Sequence, residues 1–162
     1  MHIHGEGKTM YANLKCILLL IALIGFSATS DAAESLITEC GKSTGYAFYI
    51  PGGAVSANNS GFRPDGETGG YTRLEVINGH PSITILNSAG EIAPVEAQGG
   101  VLQILPSKLD FGVVHFVVLY SDAITDYIFK LDSAGNGILI TTMSRANSIV
   151  NKSAVYQSEC RR

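Results

Sequence analysis

Between Gly45 and Glu159 the chain is cut every few residues by Gly, Pro, Asn or Asp, and no stretch repeats its apolar residues with the period of a helix. The pieces left between the breaks are short and rich in Val, Ile, Tyr, Phe and Thr. They run from Gly45 to Ile50, Tyr71 to Ile77, Ser82 to Leu86, Glu91 to Ala97 and Val101 to Leu105. Gly112 to Tyr120, Thr125 to Leu131, Gly137 to Met143 and Ser153 to Glu159 follow. A chain punctuated in this way folds as sheet.

Several pieces alternate apolar and polar residues, which sends one set into a core and the other into water. Leu74 and Val76 are expected to point one way, with Arg73 and Glu75 opposite. Tyr127, Phe129 and Leu131 are expected inside, with Asp126 and Lys130 outside. Pro94 marks an edge strand because it cannot donate to a ladder. Asn87 to Gly90 and Asp132 to Gly135 both carry hairpin-turn chemistry. The expected fold is all-β: a single antiparallel meander of about eight to nine strands, as a lipocalin-like barrel or a two-sheet sandwich.

Ahead of this region, Lys15 is followed by the apolar run Cys16 to Phe26 and then by the small and polar SATSDAAES. The run is 11 residues, too few for a membrane-crossing helix, which takes about 20. A basic flank, a short apolar centre and a small-x-small exit describe a secretory leader. Residues 1–32 are therefore expected to be a signal peptide, with Met10 as an alternative start. Residues 33–162 are expected to form one exported β-domain, periplasmic or secreted, without a permanent membrane anchor. From Ala33 onward 9 Lys and Arg face 12 Asp and Glu, a net charge of −3. That balance excludes a nucleic-acid binder, whose contact face is basic.

Loss of the leader removes Cys16 and leaves Cys40 and Cys160. In an oxidising compartment these two are expected to pair. In the chain-entropy account a closed loop this long restricts the unfolded state by about 4 to 5 kcal/mol.

Two familiar motifs overlap at Gly41 to Gly45, and neither fits its context. The GKST tail of a phosphate loop lacks the first glycine, since Leu36 stands there, and a strand rather than a helix follows. Gly41, Ser43 and Gly45 match G-x-S-x-G, but a nucleophile elbow turns from a strand into a helix of an α/β sheet. A triad would have to draw on His80 or His115 and on Asp65 or Asp110. Asp132 to Gly137 resembles a calcium loop, yet Ala134 and Met143 occupy ligand positions, and the isolated histidines lack zinc spacing. No metal or cofactor is expected.

The segment Pro51 to Gly70 reads as a long glycine-rich loop, with Tyr46, Phe48, Tyr49, Phe62 and Tyr71 around it. Loops of this length in compact domains are commonly functional, and aromatics with polar tips suit binding surfaces. His115 interrupts the most apolar strand, which suggests either a hydrogen-bonded core histidine or a ligand contact inside a barrel, with Tyr46, Tyr127 or Tyr156 as its partner. The candidate ligand-binding residues are therefore Tyr49, Phe62, Arg63, Asp65, Tyr71 and His115.

The patterns CGKSTGYAFYIPGG and DGETGGYTRL and the C-terminal cysteine resemble those of a group of small exported bacterial proteins with no known activity. That resemblance implies export and no particular chemistry. By analogy small meander barrels such as lipocalins bind apolar ligands, although this chain has no tryptophan and lacks the lipocalin G-x-W start. The expected function is a non-enzymatic binding module for a small ligand or an envelope protein. The alternatives are an interaction or inhibitor domain and, third, a small hydrolase using Ser43 or His115.

Overall fold

The computed structural model describes residues 35–67, 70–86, 90–106 and 112–162. The expected leader, Asp110 and residues 87–89 of the first expected turn lie outside them. The described chain forms β1 (Ser35–Cys40), β2 (Ser43–Tyr49), β3 (Gly61–Glu67), β4 (Tyr71–Ile77), β5 (His80–Leu86) and β6 (Ile92–Pro94). It continues through β7 (Val101–Leu105), β8 (Val113–Leu119), β9 (Ala123–Leu131), β10 (Gly137–Arg145) and β11 (Lys152–Arg161). One short 3-10 turn (Ala57–Asn59) is the only helical element among the described residues.

A single antiparallel sheet runs in the order β6-β5-β4-β1-β11-β10-β9-β8-β7 and curls into a half-barrel. Continuity of the sheet decides between the barrel-like and sandwich alternatives. Its hairpins follow from local chemistry. Asn78 and Gly79 both adopt positive φ, 53° and 79°, between the paired Ile77 and His80, as a two-residue primed turn requires. At the β9–β10 turn, Asp132 Oδ1 accepts the N–H groups of Ala134 and Asn136, both at 2.9 Å. Pro94 sits in β6, at the edge of the sheet, as expected.

β6 and β7 lie at opposite ends of the strand order, yet only 95–100 separate them in sequence. Six residues reach at most about 20 Å, so the two edges curl toward each other. Val95 seals the gap: it is fully buried and donates to Ile83 O at 2.9 Å. Gly100 completes the seal, because a Cβ there would stand 2.6 Å from Val118 Cγ1 and 2.8 Å from Val95 O.

Among the described residues the sheet branches at β11. The outer edge of this strand pairs first with β2, through Lys152 to Gln157, and then with β1 at Cys160 and Arg161. β1 continues into β4, and β2 into β3. The Cys40–Cys160 disulfide sits at this fork, between directly paired and buried residues.

Two sequence expectations need correction. Pro51 to Gly70 is not one long loop, because β3 occupies Gly61–Glu67 and pairs with β2 along its whole length. Gly61, Pro64 and Gly66 read as breakers, but among the described residues β3 pairs with β2 alone, and an edge strand tolerates them. His115 is not a core residue. Val114, Phe116 and Val118 take the inner positions of β8, which turns His115 outward to Asp126, Nε2 to Oδ1 at 3.2 Å. Tyr127 and Tyr156 lie on the opposite face, buried.

Candidate functional site

The inner face changes character along the strands. At one end Phe129, Leu139, Leu74, Ile83 and Phe116 pack with the disulfide into the main core. Period-two alternation carries the same face onward to Thr125 and Tyr127 in β9, Thr141 in β10, and Tyr156 and Ser158 in β11. Here the apolar core gives way to a cavity of about 420 Å³. This size suits a small molecule.

Four tyrosines line the cavity: Tyr71, Tyr120, Tyr127 and Tyr156. Ser43, Thr72, Thr125, Thr141 and Ser158 line it too, together with the apolar Ile85, Leu86 and Met143. The register explains the convergence, since Thr141 pairs with Tyr156 on one side and Tyr127 on the other. Tyr120 hydrogen-bonds to Tyr127, and burial raises its phenol above the usual value despite that bond and the nearby Arg145 charge. Tyr71 is backed by Arg73, whose guanidinium carbon lies 4.5 Å from the ring centroid.

One charged pair stands in the cavity wall. Arg145 Nε is 3.7 Å from Asp122 Oδ2, and both side chains are part-exposed, at 40% and 38%. Nε itself is buried without a hydrogen-bond partner. The pair is held by backbone geometry: Arg145 is paired with Ala123, and Ala146 N donates to Asp122 O at 2.9 Å.

Beside the cavity, Tyr156 joins a second polar group that ties β3 to β11. Asp65 Oδ2 accepts from Lys152 Nζ at 2.6 Å and from Tyr156 Oη at 2.7 Å, and Lys152 also donates to Tyr156 Oη at 2.9 Å. Burial pushes the Asp65 carboxyl upward. The hydrogen bonds from Lys152, Tyr156 and the Gly66 N–H, together with the Lys152 charge, outweigh this and hold it at about 2. Burial, followed by a hydrogen bond to Asp65, raises Tyr49. Arg63 stacks over Tyr49 with its guanidinium carbon 5.6 Å from the ring centroid.

The six residues singled out from sequence thus fall in three places. Tyr49, Arg63 and Asp65 meet in the Lys152 group, and Tyr71 reaches the cavity. Phe62 and His115 lie on the outer face. Phe62, 80% exposed, packs edge-on against Phe48 at 5.0 Å, beside the exposed Tyr46 and Val155. His115 heads a row in which Asp126 Oδ2 also accepts from Thr142 Oγ1 at 2.6 Å. The carboxylate stands between the imidazole and the Thr142 hydroxyl there. Ser43 faces the cavity while His115 faces outward, and His80 is exposed at the β4–β5 turn.

Thr125, Thr141, Asp122, Arg145 and Ser158 were not singled out in the sequence. Their signal was present as inward parity, because Thr125 shares the phase of Phe129, and Thr141 that of Leu139. No family model, curated protein or solved structure matches this chain.

Proposed function

We propose that the chain is an exported, non-enzymatic binding module whose small ligand occupies the cavity at the polar end of the half-barrel. The observation that carries this reading is the change of the inner face from packed apolar side chains to an open space of about 420 Å³ whose wall mixes hydroxyls with apolar side chains such as Ile85 and Met143. A core that only stabilised the fold would stay apolar and close-packed. Buried hydroxyls are worth keeping where a ligand exchanges hydrogen bonds with them. The opposite orientations of Ser43 and His115 count against a hydrolytic triad. The Cys40–Cys160 bridge is compatible with an oxidising location. Among the described residues no helix is long and apolar enough to cross a membrane.

Native mass spectrometry of the non-reduced protein tests this. A small species lost on mild denaturation, and absent from a Thr141→Phe variant that fills the cavity, is the expected result. A bare protein in both samples would count against the reading.

A second reading, an interaction domain, draws on the outer face. Tyr46, Phe48, Phe62, Ile124 and Val155 are 40% to 80% exposed there, and exposed apolar groups gathered in this way mark contact surfaces. Pairing along the β3 edge is disfavoured, because Pro64 has no donor and the Gly66 N–H is taken by Asp65 Oδ1 at 2.9 Å. The occupant would be a protein laying an apolar face flat on the patch. Selective loss of a purified partner from a Tyr46→Ser, Phe62→Ser variant is the expected outcome.

A further inference from the structure

We infer that a second copy of this chain pairs with β7, edge to edge and antiparallel, giving a two-fold dimer with one continuous sheet. The first observation is a contrast among the edges. Among the described residues the main sheet ends at β6 and β7, and its branch ends at β3. An open edge offers unpaired N–H and C=O groups to any strand it meets, so edges are usually shortened or interrupted. β6 is three residues long and contains Pro94. β3 contains Pro64, and its Gly66 N–H is held by Asp65 Oδ1. β7 has no proline, glycine or charge in Val101–Leu105, and its Val and Ile favour extended chain. Of the three edges, β7 alone is left fit for pairing.

The second observation is exposure on both faces of β7. Val101 shares the outer face with its pair Leu119 and is 58% exposed. Ile104 lies on the inner face opposite the buried Phe116, and is still 52% exposed. The gap closed by Val95 and Gly100 lies just ahead of Val101, so it leaves these two side chains uncovered. A strand laid along β7 flanks both at once, whereas a partner resting on one face covers only one of them.

The third observation is self-complementarity, which points to a second copy. A two-fold axis at Gln103 sets it opposite the partner's Gln103, with Val101 opposite the partner's Leu105 and Leu102 opposite the partner's Ile104. Apolar residues then meet apolar residues on each face. The two central amides can each donate and accept. Such a contact is closed, because it consumes both β7 edges, and the blunted β6 and β3 edges stop further growth.

The test is sedimentation equilibrium of the non-reduced protein over a range of concentrations, with amide exchange read at a low and a high concentration. A reversible dimer is expected, in which the β7 amides facing away from β8 gain protection at high concentration while β3 amides do not. Gln103→Lys and Gln103→Glu should each weaken the dimer about ten-fold, because like charges then stand opposite each other. The unfolding midpoint of the monomer should not move, since Gln103 is exposed. Mixing the two variants should restore pairing as a heterodimer. A protein that stays monomeric up to about 1 mM would overturn the proposal. A dimer left intact by both substitutions would also overturn it, as would one abolished instead by Tyr46→Ser, Phe62→Ser, which would put the contact on the outer face.

Discussion

The two ends of the half-barrel are built from the same strands, yet they follow different rules. At the disulfide end β9, β10 and β11 turn Phe129, Leu139 and Cys160 inward, and all three are at most 2% exposed. A few residues along, the same face of the same strands presents Thr125, Thr141 and Tyr156 to a cavity. On the reverse side of that polar end, Tyr46, Phe62 and Val155 are exposed. The usual rule of apolar in and polar out thus holds at one end and is relaxed at the other, where hydroxyls share the inner face with Ile85 and Met143 and aromatics stand outside. Stability resides where the rule holds, and function is expected where it is broken.

Substitutions sharpen this contrast. Phe129→Ala, at the packed end, should cost about 3 to 5 kcal/mol, read by denaturant unfolding. Removing the bridge with Cys40→Ala and Cys160→Ala should cost about 2 to 5 kcal/mol. Thr141→Phe, one inward position beyond Leu139, should change stability by less than about 1 kcal/mol because it fills open space. A loss at Thr141 as large as at Phe129 would show that the two ends are one continuous core.

The β2–β3 arm offers an intermediate case, since it adds a buried ionic group to the small packing cluster of Ala47, Ala154 and Tyr156. Asp65→Asn should cost about 2 kcal/mol and raise amide exchange in β3 while leaving β9 and β10 unchanged. The pH dependence has a definite sign. The folded carboxyl, at about 2, lies below its ordinary 3.8. Its contribution is therefore complete above 3.8 and is lost as the pH falls through about 2. Protection of β3 amides should stay level down to about pH 4 and fall below it, and a fall beginning near neutrality would assign the arm's stability to another group. The smallest effect is expected at Phe62→Ser, within about 0.5 kcal/mol, because that ring is mostly in water.

Much of the architecture was legible because alternation and turn chemistry are local. Tyr127, Phe129 and Leu131 share the inner face as their spacing implies, and Asp132 builds its turn as its residue type implies. β3 was hidden because Gly61, Pro64 and Gly66 are breakers in a central strand and tolerable at an edge, a distinction that depends on distant pairing. His115 was misplaced because its neighbours are apolar on both faces, so alternation gives no phase there. The candidate site was the least legible part. Tyr71 was singled out directly, and Tyr127 and Tyr156 only as partners for a histidine they do not face. Arg145 and Asp122 meet through the pairing of β9 with β10, which no short motif records.

The central claim is that the polar inner end, rather than the aromatic outer face, is where the chain binds. It is tested most directly by following tyrosine rings by NMR as the protein is titrated with the low-molecular-weight fraction of its source extract. The account predicts that Tyr120, Tyr127 and Tyr156 shift while Tyr46, on the outer face, stays in place. Movement of Tyr46 with those three inner rings unchanged would contradict it.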